Sequence, residues 1–327
     1  MTGAVIGTGY MGKTHAAILR KLVDTLVICS LDEKAGQALA EEFDAVFYKD
    51  FDQMLEEMLP DFITVCVPTY LHYGMVKKAL EKGVPTLCEK PFTLEQEDAL
   101  ELLRLSKKTG TLLMVAHCLR FSQPYAFLKQ CIADRRFGAL QSLHMYRNSA
   151  KPDWSVGGWF SRPECSGGII RDLHIHDTDM AVCLLGVPDA VYTSANEVGC
   201  TTTFAYPNAL RVTADASWRN ASGYAFSAGF DAVFENGCLT CENGQLRLHT
   251  DQTTELMLTM GDYPAELESA DMMENELRFF CQCVKENVPP HLCRVEESVQ
   301  TMFVSCAQSR SARHKAEEKV AVPAECL

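Results

Sequence analysis

Three glycines near the start of the chain, in Gly7-Thr8-Gly9-Tyr10-Met11-Gly12, have the spacing G-x-G-x-x-G. An apolar run, Thr2–Ile6, leads into them, and a helical pattern over residues 13–22 follows. Between a strand and a helix, this spacing predicts a dinucleotide-binding turn. Gly7 would permit the tight turn, Gly9 the approach of a pyrophosphate, and Gly12 close packing of helix on strand. Backbone N–H groups at the helix start, those of Tyr10, Met11 and Gly12, would face the phosphates.

Two strand ends and one polar helix offer further chemistry. Val67-Pro68-Thr69-Tyr70-Leu71-His72 and Glu89-Lys90-Pro91 each close an apolar run, and in open α/β sheets ligands lie beyond the carboxyl ends of strands. Val67, Pro68, Thr69, His72, Glu89 and Lys90 are therefore candidate cofactor contacts, although either stretch alone also suits a solvated turn. Over residues 166–185, Ile169, Leu173, Met180 and Leu184 recur at helical spacing. On one helix, Asp172, His176 and Asp179 share a face at i, i+4 and i+7, with His174 on the other side. A histidine one turn from a carboxylate can serve as a general base with an orienting partner. The same spacing also suits a polar face with ordinary pairing. His174-x-His176 would make a metal pair on a strand rather than on a helix, and no metal is expected there.

These residues need elements to hold them. Strand-like runs at Thr2–Ile6, 25–30, 63–67, Thr86–Glu89 and 111–116 alternate with helical patterns at 13–22, Glu33–Glu42, 51–58, 73–82 and 94–108. This alternation predicts a parallel sheet covered on both faces, in a Rossmann-like arrangement. After about residue 118 the pattern changes to short alternating runs at 140–147, 191–197, 201–204, 211–218, 224–230, 231–234, 246–249 and 254–259, with helices at 124–133, 168–185, 270–286 and 295–315. That half reads as an α+β domain on an antiparallel sheet. The expected division is 1–118 for dinucleotide binding and 119–327 for substrate binding and association, the two packed closely around a cleft.

The totals agree with such a protein. A chain of 327 residues, 47% hydrophobic and 22% charged, is about right for two globular domains. A formal net charge of -13 argues against affinity for nucleic acid or anionic membrane. No apolar run approaches the ~20 residues that span a bilayer. No basic segment precedes the first apolar stretch, so the expectation is a cytoplasmic protein without a signal peptide. The 15 cysteines sit largely inside apolar runs and read as reduced core thiols. Cys238-x-x-Cys241 and Cys281-x-Cys283 with Cys293 have ligand-like spacing, but a structural zinc site takes four ligands.

Taken together, Gly7-x-Gly9-x-x-Gly12, Glu89-Lys90-Pro91 and Gly167-Gly168-x-x-x-Asp172-x-x-x-His176 resemble the Gfo/Idh/MocA family of oxidoreductases. The resemblance extends through His117-Cys118-Leu119-Arg120-Phe121 and Trp159-Phe160. It implies an N-terminal Rossmann domain, then an α+β domain with a large, mainly antiparallel open sheet. It also implies hydride transfer between NAD or NADP and a sugar, cyclitol or related polyol. Lys90, Asp172 and His176 match the family's catalytic lysine, aspartate and histidine. Arg120, Trp154 and Trp159 join them as expected substrate contacts. The resemblance further implies a homo-oligomer, dimer or tetramer, covering an open sheet face expected to be apolar. Many relatives close the second strand with an aspartate for the adenosine ribose. Here Ser30 aligns with it and Asp32 follows two residues later, which leaves NAD against NADP open. The rival reading is a dinucleotide-binding sensor or scaffold without turnover; fold alone does not decide this.

Overall fold

The structure, a computed structural model, describes residues 1–152, 156–251, 254–256 and 263–327. Trp154 lies outside the described residues. The chain divides into two compact units.

The first unit alternates strand and helix: β1 Thr2–Ile6, α1 Tyr10–Leu19, β2 Thr25–Cys29, α2 Glu33–Glu42, β3 Val46–Tyr48, α3 Phe51–Glu57, β4 Phe62–Val65, α4 His72–Glu81, β5 Thr86–Glu89, α5 Gln96–Thr109 and β6 Leu113–Ala116. The sheet order is β3-β2-β1-β4-β5-β6, and every pairing is parallel. Strands β4, β5 and β6 are buried along their whole length, as expected of a parallel sheet with helices on both faces. Sequence order reverses between β1 and β4, so the carboxyl ends of those two strands flank the topological switch point where ligands bind.

The second unit holds α6 Gln123–Ala133, β7 Leu140–Ala150, α7 Pro163–Ser166, α8 Gly168–Asp172, α9 Ile175–Leu185, β8 Ala190–Ala195, β9 Gly199–Ala205, β10 Arg211–Arg219, β11 Ser227–Phe234, β12 Gly237–Glu242, β13 Gln245–His249 and β14 Thr254–Leu256. Next along the chain come α10 Met272–Glu286, which from Met273 on belongs to the first unit, α11 Val295–His314 and β15 Glu318–Lys319. The nine strands run β14-β13-β12-β11-β7-β10-β9-β8-β15. Among the described residues only β7 and β10 pair in parallel, and their neighbours are antiparallel. Side chains alternate in and out. Leu143, Met145, Val212, Ala214, Phe230 and Ala232 point into a core shared with Phe127, Leu128, Met180, Val304 and Ala307 of the helices.

The expectation of an apolar outer face is not met. That face carries His144, Tyr146, Thr201, Thr213, Asp215 and Thr240, joined across strands by His144 Nδ1 to Thr213 Oγ1 at 2.9 Å and by Thr201 to Asp215. The strict period of two sends the apolar set inward and leaves the polar set outside.

Other differences have local causes. The edge strands β3 and β15 have three and two residues, too few to show a period. The runs at 224–230 and 231–234 form one strand, β11. The expected helix over 168–185 is two helices, α8 and α9, because the His174 N–H bonds to Ile169 O five residues back at 3.0 Å, and Asp177 and Thr178 then start a new turn on His174 O. The expected cut at 118/119 is replaced by a division after His117, and Met273–Val299 belongs to the first unit. Phe280 of α10 meets Phe62 edge-on at 5.8 Å, and the Cys293 thiol donates to Val115 O at 3.3 Å. Among the described residues no helix is long and apolar enough to cross a membrane.

Phe280 is fully buried. Phe280→Ala should therefore cost about 3–5 kcal/mol in a denaturant melt. A cost below about 1 kcal/mol, the range of a surface substitution, would show that this helix is not part of the first unit's core.

Candidate active site

The glycine turn follows β1 directly. Gly7 has φ +108°, a backbone region that glycine enters freely, and a Cβ there would stand 2.6 Å from Cys66 O. A Cβ on Gly12 would lie 2.1 Å from Gly7 O, so α1 reaches β1 only because that position has no side chain. A Cβ on Gly9 would meet nothing within 4 Å. The first and third glycines are thus demanded by the protein's own packing, whereas the second faces open space. Gly9 caps α1 without a side-chain bond, and the first turn carries no acidic residue. The positive end of the helix dipole is left for an anion. These features fit a dinucleotide pyrophosphate. Tyr10 is exposed and Met11 half-buried at that helix start.

Ser30 follows the last residue of β2, and its hydroxyl lies 3.2 Å from that of Thr8 in the glycine turn. Asp32 caps α2 by accepting from Ala35 N at 3.0 Å. Both residues lie at the carboxyl end of β2, with Ser30 tied to the turn and the Asp32 carboxylate fixed beside it in sequence.

Beyond β4, Val67 and Pro68 are half-buried and Thr69 is buried. His72 is buried as well; Nε2 lies 2.9 Å from Val67 O and Nδ1 2.9 Å from Pro91 O. It ties the loop after β4 to the turn after β5. Two carbonyl acceptors are both satisfied only by the imidazolium, and burial opposes that charge, pulling the ring below its ordinary pKa. Glu89 ends β5 inside the protein. Its Oε1 lies 3.0 Å from His15 Nε2, and its Oε2 accepts from Lys90 N at 3.2 Å. His15 Nδ1 in turn lies 3.3 Å from Cys66 Sγ. Burial opposes the His15 imidazolium, but the Cys66 sulfur and the Glu89 carboxylate outweigh it and raise His15 to about 10. Burial also opposes the Glu89 carboxylate, and His15 holds it below the usual range. Cys66–His15–Glu89 thus forms a buried chain from α1 to the backbone of Lys90, which is half-buried.

In the second unit, Asp172 is the last residue of α8 and is buried, while His176 is the second residue of α9 and half-buried. They occupy consecutive helices, which corrects their expected placement on one face of one helix. Asp179, expected on the same face, is buried. Its carboxylate accepts from Arg120 Nε and Nη2, both at 2.8 Å, and from Thr301 Oγ1 at 2.9 Å. Arg120 is buried in that pair. Trp159 is half-buried in a short 3-10 segment. His174 is wholly buried with Nε2 2.9 Å from Thr202 Oγ1. Burial, with the Arg147 charge adding to it, pulls His174 down to about 3, so it is neutral.

The sequence reading missed His15, Cys66 and the pair Arg147–Asp177, in which Nε donates to Oδ2 at 3.2 Å and Nη2 to Oδ1 at 3.0 Å. Arg147 was detectable: it follows Leu143 and Met145 at the inward parity of β7, where a charge requires a partner. Among the described residues no group of three or more histidine, cysteine or acidic side chains could hold a metal ion.

Comparison with known proteins agrees with this geometry. The family described as "Oxidoreductase family, NAD-binding Rossmann fold" matches residues 1–117, and "GFO/IDH/MocA C-terminal domain" matches 125–247. A 2,7-anhydro-N-acetylneuraminate hydratase of Mediterraneibacter gnavus is 31% identical over 196 residues, 60% of this chain and 52% of the relative. A D-glucoside 3-dehydrogenase of Escherichia coli is 31% identical over 192 residues, 57% of this chain and 54% of the relative. The matches thus span about half the length of these relatives. A levoglucosan dehydrogenase in complex with NADH and levoglucosan shares the fold, with a TM-score of 0.88 at 18% identity, covering 98% of this chain and 100% of that one.

The His15–Glu89 pair makes stability depend on pH. A histidine held at about 10 when folded and 6.5 when unfolded contributes fully below pH 6.5, and its contribution is lost as pH rises toward 10. The melting temperature should therefore fall more steeply over that window in the wild type than in His15→Gln. Parallel curves would contradict the charged assignment.

Proposed function

Because the chain belongs to the Gfo/Idh/MocA oxidoreductase family, we propose that it is an NAD(H)-dependent oxidoreductase of a secondary alcohol on a sugar, cyclitol or related polyol. The observation that carries the reading is the glycine turn: a Gly7 and Gly12 locked by packing, and an open Gly9 at an uncapped helix start. Gly7, Gly9, Tyr10, Met11 and Gly12 hold the pyrophosphate, and Val67, Pro68, Thr69 and His72 line the switch point beside it. Ser30 meets the adenosine ribose. Asp32, a carboxylate fixed two residues on, disfavours a 2′-phosphate and supports NAD over NADP.

Nicotinamide, when bound, supplies the hydride acceptor or donor. The alcohol can yield hydride only as its hydroxyl proton departs, and His176 takes that proton. Asp172, at the end of the preceding helix, orients the imidazole. Lys90, matched to the family's lysine, is assigned the stabilisation of negative charge developing on an oxygen. Its backbone is held by Glu89, so the His15–Glu89 pair sets where the ammonium starts from. Arg120 is assigned a holding role through Asp179. A second reading, in which the hydride returns to the same substrate, is favoured by the resemblance to a protein named a hydratase. It gives product without net change in nicotinamide absorbance.

The test is a panel of sugars and polyols followed by both nicotinamide absorbance and product analysis. On the substrate so found, His176→Ala should lower kcat by ~10²–10⁴-fold, the range of a lost proton-transfer group. Lys90→Ala should lower it as well, with NADH affinity little changed in His176→Ala. Wild-type turnover in both variants would overturn the assignment; NADH binding without chemistry on any compound would favour a sensor.

A further inference from the structure

The second unit contains a recess of about 580 Å³ that the proposed chemistry does not use. Its volume is in the range of small-molecule sites. Tyr125, Arg147, Phe226, Gln123, Gln245 and Asp271 all line it. Three of them give it the character of a built site. Arg147, almost wholly buried, has its guanidinium carbon 5.8 Å from the centre of the Phe226 ring. Phe226 itself is 56% exposed, so an aromatic ring held against a cation still has surface to offer. Tyr125 is 5% exposed and packs edge-on against Phe230 at 5.0 Å. Its ring walls the recess, while its hydroxyl is buried beneath that surface beside the Arg147–Asp177 pair.

Charge narrows the ligand. Arg147 is answered by the two hydrogen bonds to Asp177, and Asp271 adds a carboxylate to the lining. The recess therefore has no spare positive charge for a carboxylate or phosphate. An aromatic face beside hydrogen-bonding groups suits a ring with an apolar face and an uncharged polar edge. Its position is also informative: Asp177, which anchors Arg147, follows His176 in α9. We propose that this recess binds the uncharged ring attached to the reacting sugar, an aryl aglycone or a second sugar, so that the substrate is a neutral glycoside. This rests on the sugar-oxidoreductase reading for the identity of the attached group only.

The experiment compares methyl with phenyl β-glycosides of glucose, galactose and mannose, by calorimetry on the whole chain with NADH present. Within at least one pair the phenyl compound should bind roughly tenfold more tightly, the order of one good apolar contact. Phe226→Ala, a change at an exposed ring, should abolish that difference while leaving the methyl glycoside and NADH unaffected. A 4-carboxyphenyl glycoside should bind no better than the methyl one. Equal binding of methyl and phenyl compounds, no binding of either, or an unchanged preference in Phe226→Ala overturns the proposal. Tighter binding of the carboxyphenyl compound overturns its neutral character. Phenyl-dependent binding without oxidation of any glycoside would support the recess and count against the redox reading; oxidation of a free sugar with no phenyl preference would do the reverse.

Discussion

A buried ion pair between His15 and Glu89 governs the geometry of the first unit. It joins α1, which begins at the glycine turn, to the end of β5, where Lys90 leaves the sheet. The pair is deeply buried, so its charges have given up water and must be repaid by short contacts on every side. Cys66 at the end of β4 occupies the second nitrogen of His15, and Lys90 N occupies the second oxygen of Glu89. Two strand ends and a helix are thereby fixed relative to one another. Close contact of Gly12 with Gly7 O is possible only with α1 seated at that depth, which is the depth at which His15 reaches Glu89.

The second unit uses the same device twice. Arg120–Asp179 and Arg147–Asp177 are buried pairs that grip α9 from residues 118–121 and from β7. Removing one partner from such a pair costs about 3–5 kcal/mol, mostly for the charge left behind. A well-packed apolar replacement could be as stable, so the pairs are better understood as fixing the register of α9 than as adding stability. His176 immediately precedes both attachments, one residue before Asp177 and three before Asp179. Its half-buried position is set by the anchored turn that follows it.

The two halves were unequally legible in the sequence. The glycine spacing, the strand-helix alternation and the Lys90 and His176 motifs are local signals, and the sheet that carries the first of them has the expected order. The partner of Asp179 was not legible, because a shared helical face says nothing about an arginine 59 residues earlier in the chain. The break between α8 and α9 was hidden because Leu173 and His174 keep helical dihedrals, and only the hydrogen-bond register changes. The return of Met273–Val299 to the first unit follows from Phe280 on Phe62, a pairing with no sequence signature. The polar outer face of the large sheet was readable from its alternation; the expectation of an apolar face came from resemblance instead.

The central claim is that the glycine turn is built for a dinucleotide, and Gly9 tests it most directly because a side chain there has room in the protein alone. NADH and NADPH should be titrated into wild type and Gly9→Leu, with nicotinamide fluorescence as the readout and melting curves to confirm folding. The account predicts that the wild type binds NADH in preference to NADPH, and that Gly9→Leu melts like the wild type yet loses NADH. A wild type that binds neither cofactor, or a folded Gly9→Leu that binds NADH unchanged, would contradict it.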